Sequence, residues 1–233
     1  PRSIVRASLV STPSEYVRQK LISEFAISPA KVKVVRHGID EQLGKLATSE
    51  QELRQRLRLE NKQVLFLPAV THPHKNHKFL LQLMKTHWVD KNLVLVCAGG
   101  KGRGEVDFMR EVRRLNLDDR VIRLDRVADH DRDGLLKLAK ALVFPSLYEG
   151  FGAPVIEAMQ LETPVISSDC AALPEIVGDA GIVLPLDLNL WASALDTLMA
   201  RRDSLIAAGR IRAAHFSVSN SGKDLAQIYR TAI

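Results

Sequence analysis

The stretch ALVFPSLYEGFGAPVIEAM, Ala141 to Met159, reads as strand, loop and helix. Ala141 to Phe144 is a short apolar run of the kind that forms a buried parallel strand. Pro145 ends it, because proline cannot donate to a continuing ladder. Gly150 and Gly152 allow a loop whose backbone approaches a ligand closely. From Ala153 the spacing predicts a helix, with Pro154 in the first turn, where its missing N–H costs little. The loop therefore brings free backbone N–H groups and a positive helix end to one point, which makes an anion site. Glu149 and Glu157 bracket that point, one in the loop and the other about a turn into the helix. A phosphate pocket flanked by acids suits a ligand that carries both phosphate and hydroxyls. Surface solvation is the plain alternative for both glutamates. Glu157, however, follows the packed-looking run Phe151 to Ile156, and an acid in such a segment needs a partner; ribose or sugar hydroxyls would supply one.

Working outward, apolar strands alternate with helices. Strands are expected at Val64–Leu67, Leu93–Ala98, Val121–Leu124, Ala141–Phe144, Val165–Ser167 and Ile182–Leu184, with helices at 50–59, 76–86, 105–115, 132–140 and 153–160 and a short turn at 172–177. This alternation predicts an α/β fold with a Rossmann-like, doubly wound parallel sheet, whose ligand sits at the carboxyl ends of the strands. Upstream, residues 1–36 hold a strand (Ser8–Val10), a helix and a second strand (Val32–Arg36). Thr12 is the expected N-cap of that helix, with Pro13 at its first position and Glu15 closing a capping box. Tyr16 or Val17, Leu21 and Phe25 give it one buried face. His37 to Asp40 form a connector in which Gly38 is a hinge or turn. The last third, 188–232, reads as helices only.

The loops at the strand ends carry the chemistry. After the first strand of the alternation comes PAVTHPHKNHKFL, where Lys75 neutralises a diphosphate as a point charge and Asn76 caps the helix behind it. His72, His74 and His77 raise a metal alternative, but the following helix offers no Cys, Asp or Glu to complete a ligand set. Histidines that cap and pack around a loop are the other reading. The next loop, AGGKGRGE, follows a strand and opens a helix, which invites a dinucleotide reading. Its glycines at 100, 102 and 104 do not have the G-x-G-x-x-G spacing, so a solvated turn near a nucleotide is preferred. Either Asp129 or Asp131 starts the helix after DRVADHDRD. Glu175 either starts a helix or touches ligand. Ser146 lacks a nucleophile-elbow setting and neither cysteine has a basic neighbour.

Composition narrows the class. The chain has 233 residues, 46% of them hydrophobic and 26% charged, with no low-complexity tract. Its apolar runs fall short of the ~20 residues that a membrane span requires. Cys97 and Cys170 are too few for a disulfide framework, which points to a reducing, cytoplasmic setting. A start at Pro1 without Met suggests a fragment or processed product. The net charge of +6 fits solvated basic faces, anionic ligands or the inner face of a membrane. Nucleic acid is disfavoured, since basic residues are scattered and aromatics make up only 5%.

Taken together, PSLYEGFGAPVIEAMQLETPVISSDCAALPEIVGDAGIVLPLD resembles the signature of glycosyltransferase family 4, retaining enzymes of the two-domain GT-B fold. The E-x7-E pair Glu149 and Glu157, the two glycines, TPVI and LPE carry the match. LPAVTHPHKNH resembles the family's first phosphate-binding loop, and STPSEYVRQKLISEFAISPAKVKVVRHGID resembles the end of its N-terminal domain and the linker. The likeness spans nearly the whole chain and corresponds to the second half of a full-length member. It implies a tail of the N-terminal, acceptor domain and linker at 1–37, a donor-binding domain at 38–215, and at 216–233 a helix packing back towards the first domain.

The resemblance also implies roles. Glu157 binds ribose hydroxyls and Glu149 the hydroxyls of the transferred sugar. Lys75, with the amides of Gly150, Phe151, Gly152 and Ala153, neutralises the diphosphate. Many members carry an arginine in a G-R-x motif before this lysine; here Thr71 and His72 stand near that place, so diphosphate stabilisation rests either on Lys75 alone or partly on His74. No cofactor or metal is implied. The partners are a nucleotide-diphosphate sugar, with a lean to GDP-mannose, and a saccharide or lipid-linked acceptor for polysaccharide biosynthesis held mainly by the missing N-terminal domain. A nucleotide-sugar-binding module without turnover of its own is the alternative.

Overall fold

The computed structural model describes residues 2–232. Its centre is a six-stranded sheet, with every pairing parallel: β3 (Gln63–Pro68), β4 (Leu93–Ala98), β5 (Val121–Leu124), β6 (Ala141–Phe144), β7 (Val165–Ser168) and β8 (Ile182–Leu184). The central strands β4 and β6, and β3 between its end residues, are continuous buried apolar runs because both sheet faces are covered there, and burying both faces of a strand leaves no solvent side for polar residues; the edge strands β5 and β8 are only partly covered. The core includes Phe66, Phe144, Leu65, Leu95 and Trp191, all fully buried.

The spatial order β5-β4-β3-β6-β7-β8 decides where a ligand can sit. The chain runs outward from β3 to one edge, then returns to β6 beside β3 and runs to the other edge. The loops leaving β3 and β6 therefore diverge to opposite faces and open a crevice at their carboxyl ends, the topological switch point of a doubly wound sheet. Register fixes the neighbours, with Leu65 beside Ala141 and Phe66 beside Leu142.

Helices cover the sheet. Between strands lie α3 (Glu50–Leu57, before β3), α4 (His77–Thr86), α5 (Glu105–Arg114), α6 (Asp129–Leu138), α7 (Ala153–Gln160) and α8 (Leu173–Val177). The last third is helical as expected: α9 (Leu188–Ala192), α10 (Ala194–Ala200), α11 (Arg202–Ala214) and α12 (Val218–Ala232). In α11, Gly209 lets the helix lie on α7, since a Cβ there would stand 3.4 Å from Met159.

The first residues form a separate layer. After α1 (Arg2–Arg6), β1 (Val10–Thr12) and β2 (Val32–Val34) make a two-stranded parallel sheet joined by α2 (Glu15–Phe25). β1 thus lies two residues later than Ser8–Val10. The N-cap of α2 is Ser14, not Thr12: the Ser14 hydroxyl accepts from Val17 N at 3.2 Å, while Thr12 ends the strand. Pro13 precedes the cap and Glu15 is the first helical residue, where it pairs with Arg18, so no capping box forms. Asn76 does not cap α4 either. It adopts a left-handed turn, φ 55°, with no side-chain cap bond. α6 starts at Asp129, three residues ahead of the expected 132, with Ala128 rather than an aspartate at its N-cap.

Gly38 is required by crowding. A Cβ there would lie 2.4 Å from Val218 Cα. The connector crosses the chain just before α12 at this point, and Ile39 N donates to Phe216 O at 2.7 Å.

Candidate functional site

Two loops meet at the switch point. The β3 loop ends in a tight turn, Pro73–Lys75, that hands over to α4 through Asn76. The β6 loop runs from Pro145 to Gly152. Leu147 N donates to His74 O at 2.7 Å and ties the two together. Their charged side chains then meet: Lys75 Nζ lies 2.5 Å from Glu149 Oε1, with the side chains only 18% and 12% exposed. The same ammonium sits 5.3 Å from the centre of the Phe144 ring, an attraction that needs no counter-charge.

Gly152 turns the loop into α7. Its φ of 90° is left-handed, and a Cβ would stand 2.8 Å from Leu173 Cδ2. Gly150 is different: a Cβ there would meet only ordinary contacts within the chain, the nearest 3.7 Å away at Val17, so the fold itself requires a glycine at 152 and not at 150. The amides of Gly150, Phe151 and Gly152 donate to no group among the described residues. Ala153 opens the helix and Pro154 follows in its first turn, as read from the sequence. The Phe151 ring is buried between His37 and Phe216, at centroid distances of 5.1 and 5.6 Å, so this residue offers the site its backbone rather than its ring.

Glu157 lies half-buried in α7. Burial pushes its carboxyl above the usual range, and the Arg132 guanidinium opposes that push. No hydrogen bond of the chain satisfies this carboxylate among the described residues. Arg132 is held by Asp133 at 2.9 Å and Asp129 at 3.1 Å, and it lines a cleft of about 340 Å³ with Val70, Gly99, Gly100 and Arg126. The cleft sits over the carboxyl ends of β3, β4 and β5. Arg132 carries no motif that marks it; only the approach of α6 to α7 reveals it.

His74 stands beside Lys75, and its ring stacks on His72 at 5.8 Å. Burial, reinforced by the Lys75 charge, lowers its pKa, so at neutral pH it offers a neutral ring instead of a second cation. His77 turns away into the core, edge-on to Phe108 at 5.1 Å, and burial lowers its pKa to about 4. The three histidines do not converge. No group of three His, Cys, Asp or Glu side chains is placed to hold a metal ion among the described residues.

The glycine-rich loop is a brace. Gly102 N donates to Thr71 Oγ1 at 2.8 Å, Gly104 N to Thr71 O at 2.7 Å and Glu105 N to Gly102 O at 3.1 Å. The amides of Gly102, Gly104 and Glu105 are thus committed inside the protein. Glu105 accepts from Thr71 Oγ1 at 2.6 Å and pairs with Arg123 at 2.9 Å, which lowers the Glu105 pKa despite burial. This buried network holds the β3 loop that carries Lys75.

Glu175 has a third role beyond the two anticipated. It lies in the first turn of α8, and its carboxylate also accepts from Glu15 N and Tyr16 N, both at 3.1 Å, and so caps α2 from a distant helix. It also pairs with Arg36 at 3.1 Å. Cys97 is buried and inert, its thiol pushed up to about 12 by burial. No helix among the described residues is long and apolar enough to cross a membrane.

A family model, glycosyl transferases group 1, matches residues 49–209, well over half the chain. The chain belongs to the group 1 glycosyl transferases. It is 30% identical over 206 residues to the O-antigen chain mannosyltransferase RfbU of Salmonella typhimurium, covering 87% of this chain and 54% of that protein. It is 33% identical over 164 residues to the O-antigen chain mannosyltransferase B of Escherichia coli, covering 68% and 43%. The chain therefore spans about half the length of the curated relatives it matches. Among solved structures it is similar to Anabaena Alr3699/HepE in complex with UDP and glucose, with a TM-score of 0.85 at 24% identity over 99% of this chain and 66% of that one. That likeness shows the fold, the Rossmann-like C-terminal half of a GT-B glycosyltransferase.

Proposed function

We propose that this chain is the donor-binding part of a retaining family 4 glycosyltransferase that moves mannose from GDP-mannose to a saccharide or lipid-linked acceptor. The meeting of Lys75 and Glu149 at the switch point, beside the unused amides of Gly150–Gly152, carries this reading. The mannosyltransferase relatives support the sugar.

In this reading the guanine enters the cleft beside Arg132, and Glu157 takes the ribose hydroxyls. An un-hydrogen-bonded carboxylate held partly out of water gains most from two hydroxyl donors. The diphosphate spans the amides of Gly150–Ala153 at the α7 N-terminus and the Lys75 ammonium, with His74 donating from its neutral ring. As the bond from the sugar to the diphosphate breaks, negative charge grows on the leaving oxygens, where the amides and Lys75 are already fixed. Charge stabilisation by preorganised donors is the largest single effect available to such a site. Glu149, freed from Lys75 when the diphosphate claims the ammonium, turns to the sugar hydroxyls. The acceptor attacks the face that the diphosphate leaves. Lys75 and the amides supply the positive charge without a metal, so chelator should leave transfer unchanged.

The acceptor is held by a first domain to which residues 1–37 contribute the tail, with 38–215 binding the donor and α12 packing back across the hinge. The basic surface favours work at the cytoplasmic face of a membrane. Calorimetry with GDP, UDP and ADP tests the donor reading on this chain and on Glu157→Ala. Tight GDP binding lost in the variant is the expected result, and equal affinities for parent and variant would sink the assignment. A second reading, a binding module without turnover, is favoured by the span of about half the relatives' length. Transfer of mannose by the isolated chain would reject it.

A further inference from the structure

Ser14 is fully buried, and its hydroxyl makes two bonds of opposite sense. It accepts from Val17 N at 3.2 Å, which caps α2, and donates to Gly150 O at 2.7 Å. The second bond joins residues far apart in the chain and lands on the loop between Glu149 and Gly152. Neighbouring contacts seat the same segment there: Tyr16 meets Tyr148 edge-on with centroids 6.1 Å apart, and Glu175 takes the amides of Glu15 and Tyr16. In a trans peptide the C=O and the next N–H lie in one plane and point in opposite directions. Pinning Gly150 O from the α2 side therefore aims Phe151 N–H the other way, and that amide has no partner in the chain among the described residues.

We infer that Ser14 is a positioning residue for the donor loop: it fixes the Gly150–Phe151 peptide so that the Phe151 amide points at the diphosphate. This rests on the donor-binding reading above. It also gives the first layer a direct hand in the site, because the peptide plane is set from α2 rather than from the sheet that carries the loop.

The test separates capping from positioning. Glycine is nearly as good an N-cap as serine, so Ser14→Gly keeps α2 with little loss but removes the donor to Gly150 O. Ser14→Ala removes both bonds, and Ser14→Thr keeps a hydroxyl for both. Calorimetry with GDP and with GMP reads the outcome, since the distal phosphate is the one placed at the loop amides. GDP affinity should fall roughly three- to tenfold in the Gly and Ala variants, the range for one lost hydrogen bond between neutral groups, while GMP affinity stays within about twofold. Ser14→Thr should bind both as the parent does. An equal loss for GDP and GMP, or parental GDP affinity in Ser14→Gly, would overturn the inference while the donor reading stood. A parent chain that binds neither nucleotide would overturn the donor reading itself, and this inference with it.

Discussion

Lys75 Nζ and Glu149 Oε1 stand 2.5 Å apart across the crevice between the β3 and β6 loops, in a pair that is largely out of water. Each is the other's counter-charge while the site holds no diphosphate. On the donor-binding reading proposed above, a diphosphate competes with Glu149 for the ammonium, and its gain is the difference between two ion pairs, not the whole of one. Breaking such a pair from one side leaves the other charge uncompensated.

This asymmetry separates the two variants. Lys75→Ala removes the cation and strands Glu149 beside the phosphates, so GDP affinity should drop by roughly 10- to 100-fold, the scale of a lost charge-assisted bond. Glu149→Gln frees Lys75 and should leave GDP affinity equal or higher, while mannose transfer by the whole enzyme falls. Calorimetry with GDP and a transfer assay check both. A GDP affinity that drops equally in both variants would contradict the division of roles.

Glu157 predicts a trade between stability and function. Its carboxylate is half-buried with no hydrogen bond among the described residues, and Arg132 keeps Asp133 and Asp129 as partners if it is neutralised. Glu157→Gln should therefore hold or raise stability, by roughly 1 kcal/mol at neutral pH, because a desolvated charge is removed. GDP affinity should fall at the same time. Urea unfolding of parent and variant, read beside the binding isotherms, gives both numbers.

The parts of this fold that are legible in the sequence are those set by burial on both faces. β3, β4 and β6 are apolar runs between loops, and each of β3 to β8 appears within a residue or so of its expected place. The helix starts are less legible because their caps are chosen by distant groups. Thr12 and Ser14 can both cap α2; Ser14 wins because Gly150 O from the β6 loop and the Glu175 carboxylate from α8 meet that end of the helix, both far along the chain. Within the site, Lys75, Glu149 and Glu157 are visible through spacing and strand-end position. The influence of the Arg132 charge on Glu157 and the Thr71–Glu105–Arg123 brace are not, since they depend on how α6 lies near α7 and how two strand-end loops fold together.

Buried His77 predicts an acid-sensitive fold. Its pKa falls from 6.5 unfolded to about 4 folded because burial disfavours the imidazolium. The unfolded chain thus binds a proton that the folded chain refuses, so the contribution is fully present above pH 6.5 and is lost as pH falls towards 4. The span corresponds to about 3 kcal/mol as an order of magnitude. Unfolding free energies measured from pH 7.5 to 4.5 should fall more steeply in the parent than in His77→Leu. Parallel curves would show that other groups carry the slope.

The two glycines of the donor loop predict opposite responses to one methyl group. At Gly152 the backbone is left-handed, φ 90°, and a new Cβ would also press on Leu173 Cδ2 at 2.8 Å. Leu173 sits fully buried under the loop, so it has little room to yield. Gly152→Ala should cost about 1–3 kcal/mol of stability and shift the amides at the start of α7, lowering GDP affinity. At Gly150 the nearest atom to a new Cβ is 3.7 Å away and φ is not in the left-handed region. Gly150→Ala should then change stability by no more than about 0.5 kcal/mol, with part of any gain coming from a less flexible unfolded chain. Thermal unfolding and GDP titration of the two variants side by side make the comparison. Equal damage at both positions would mean that ligand crowding, rather than backbone geometry, is what keeps Gly150 a glycine.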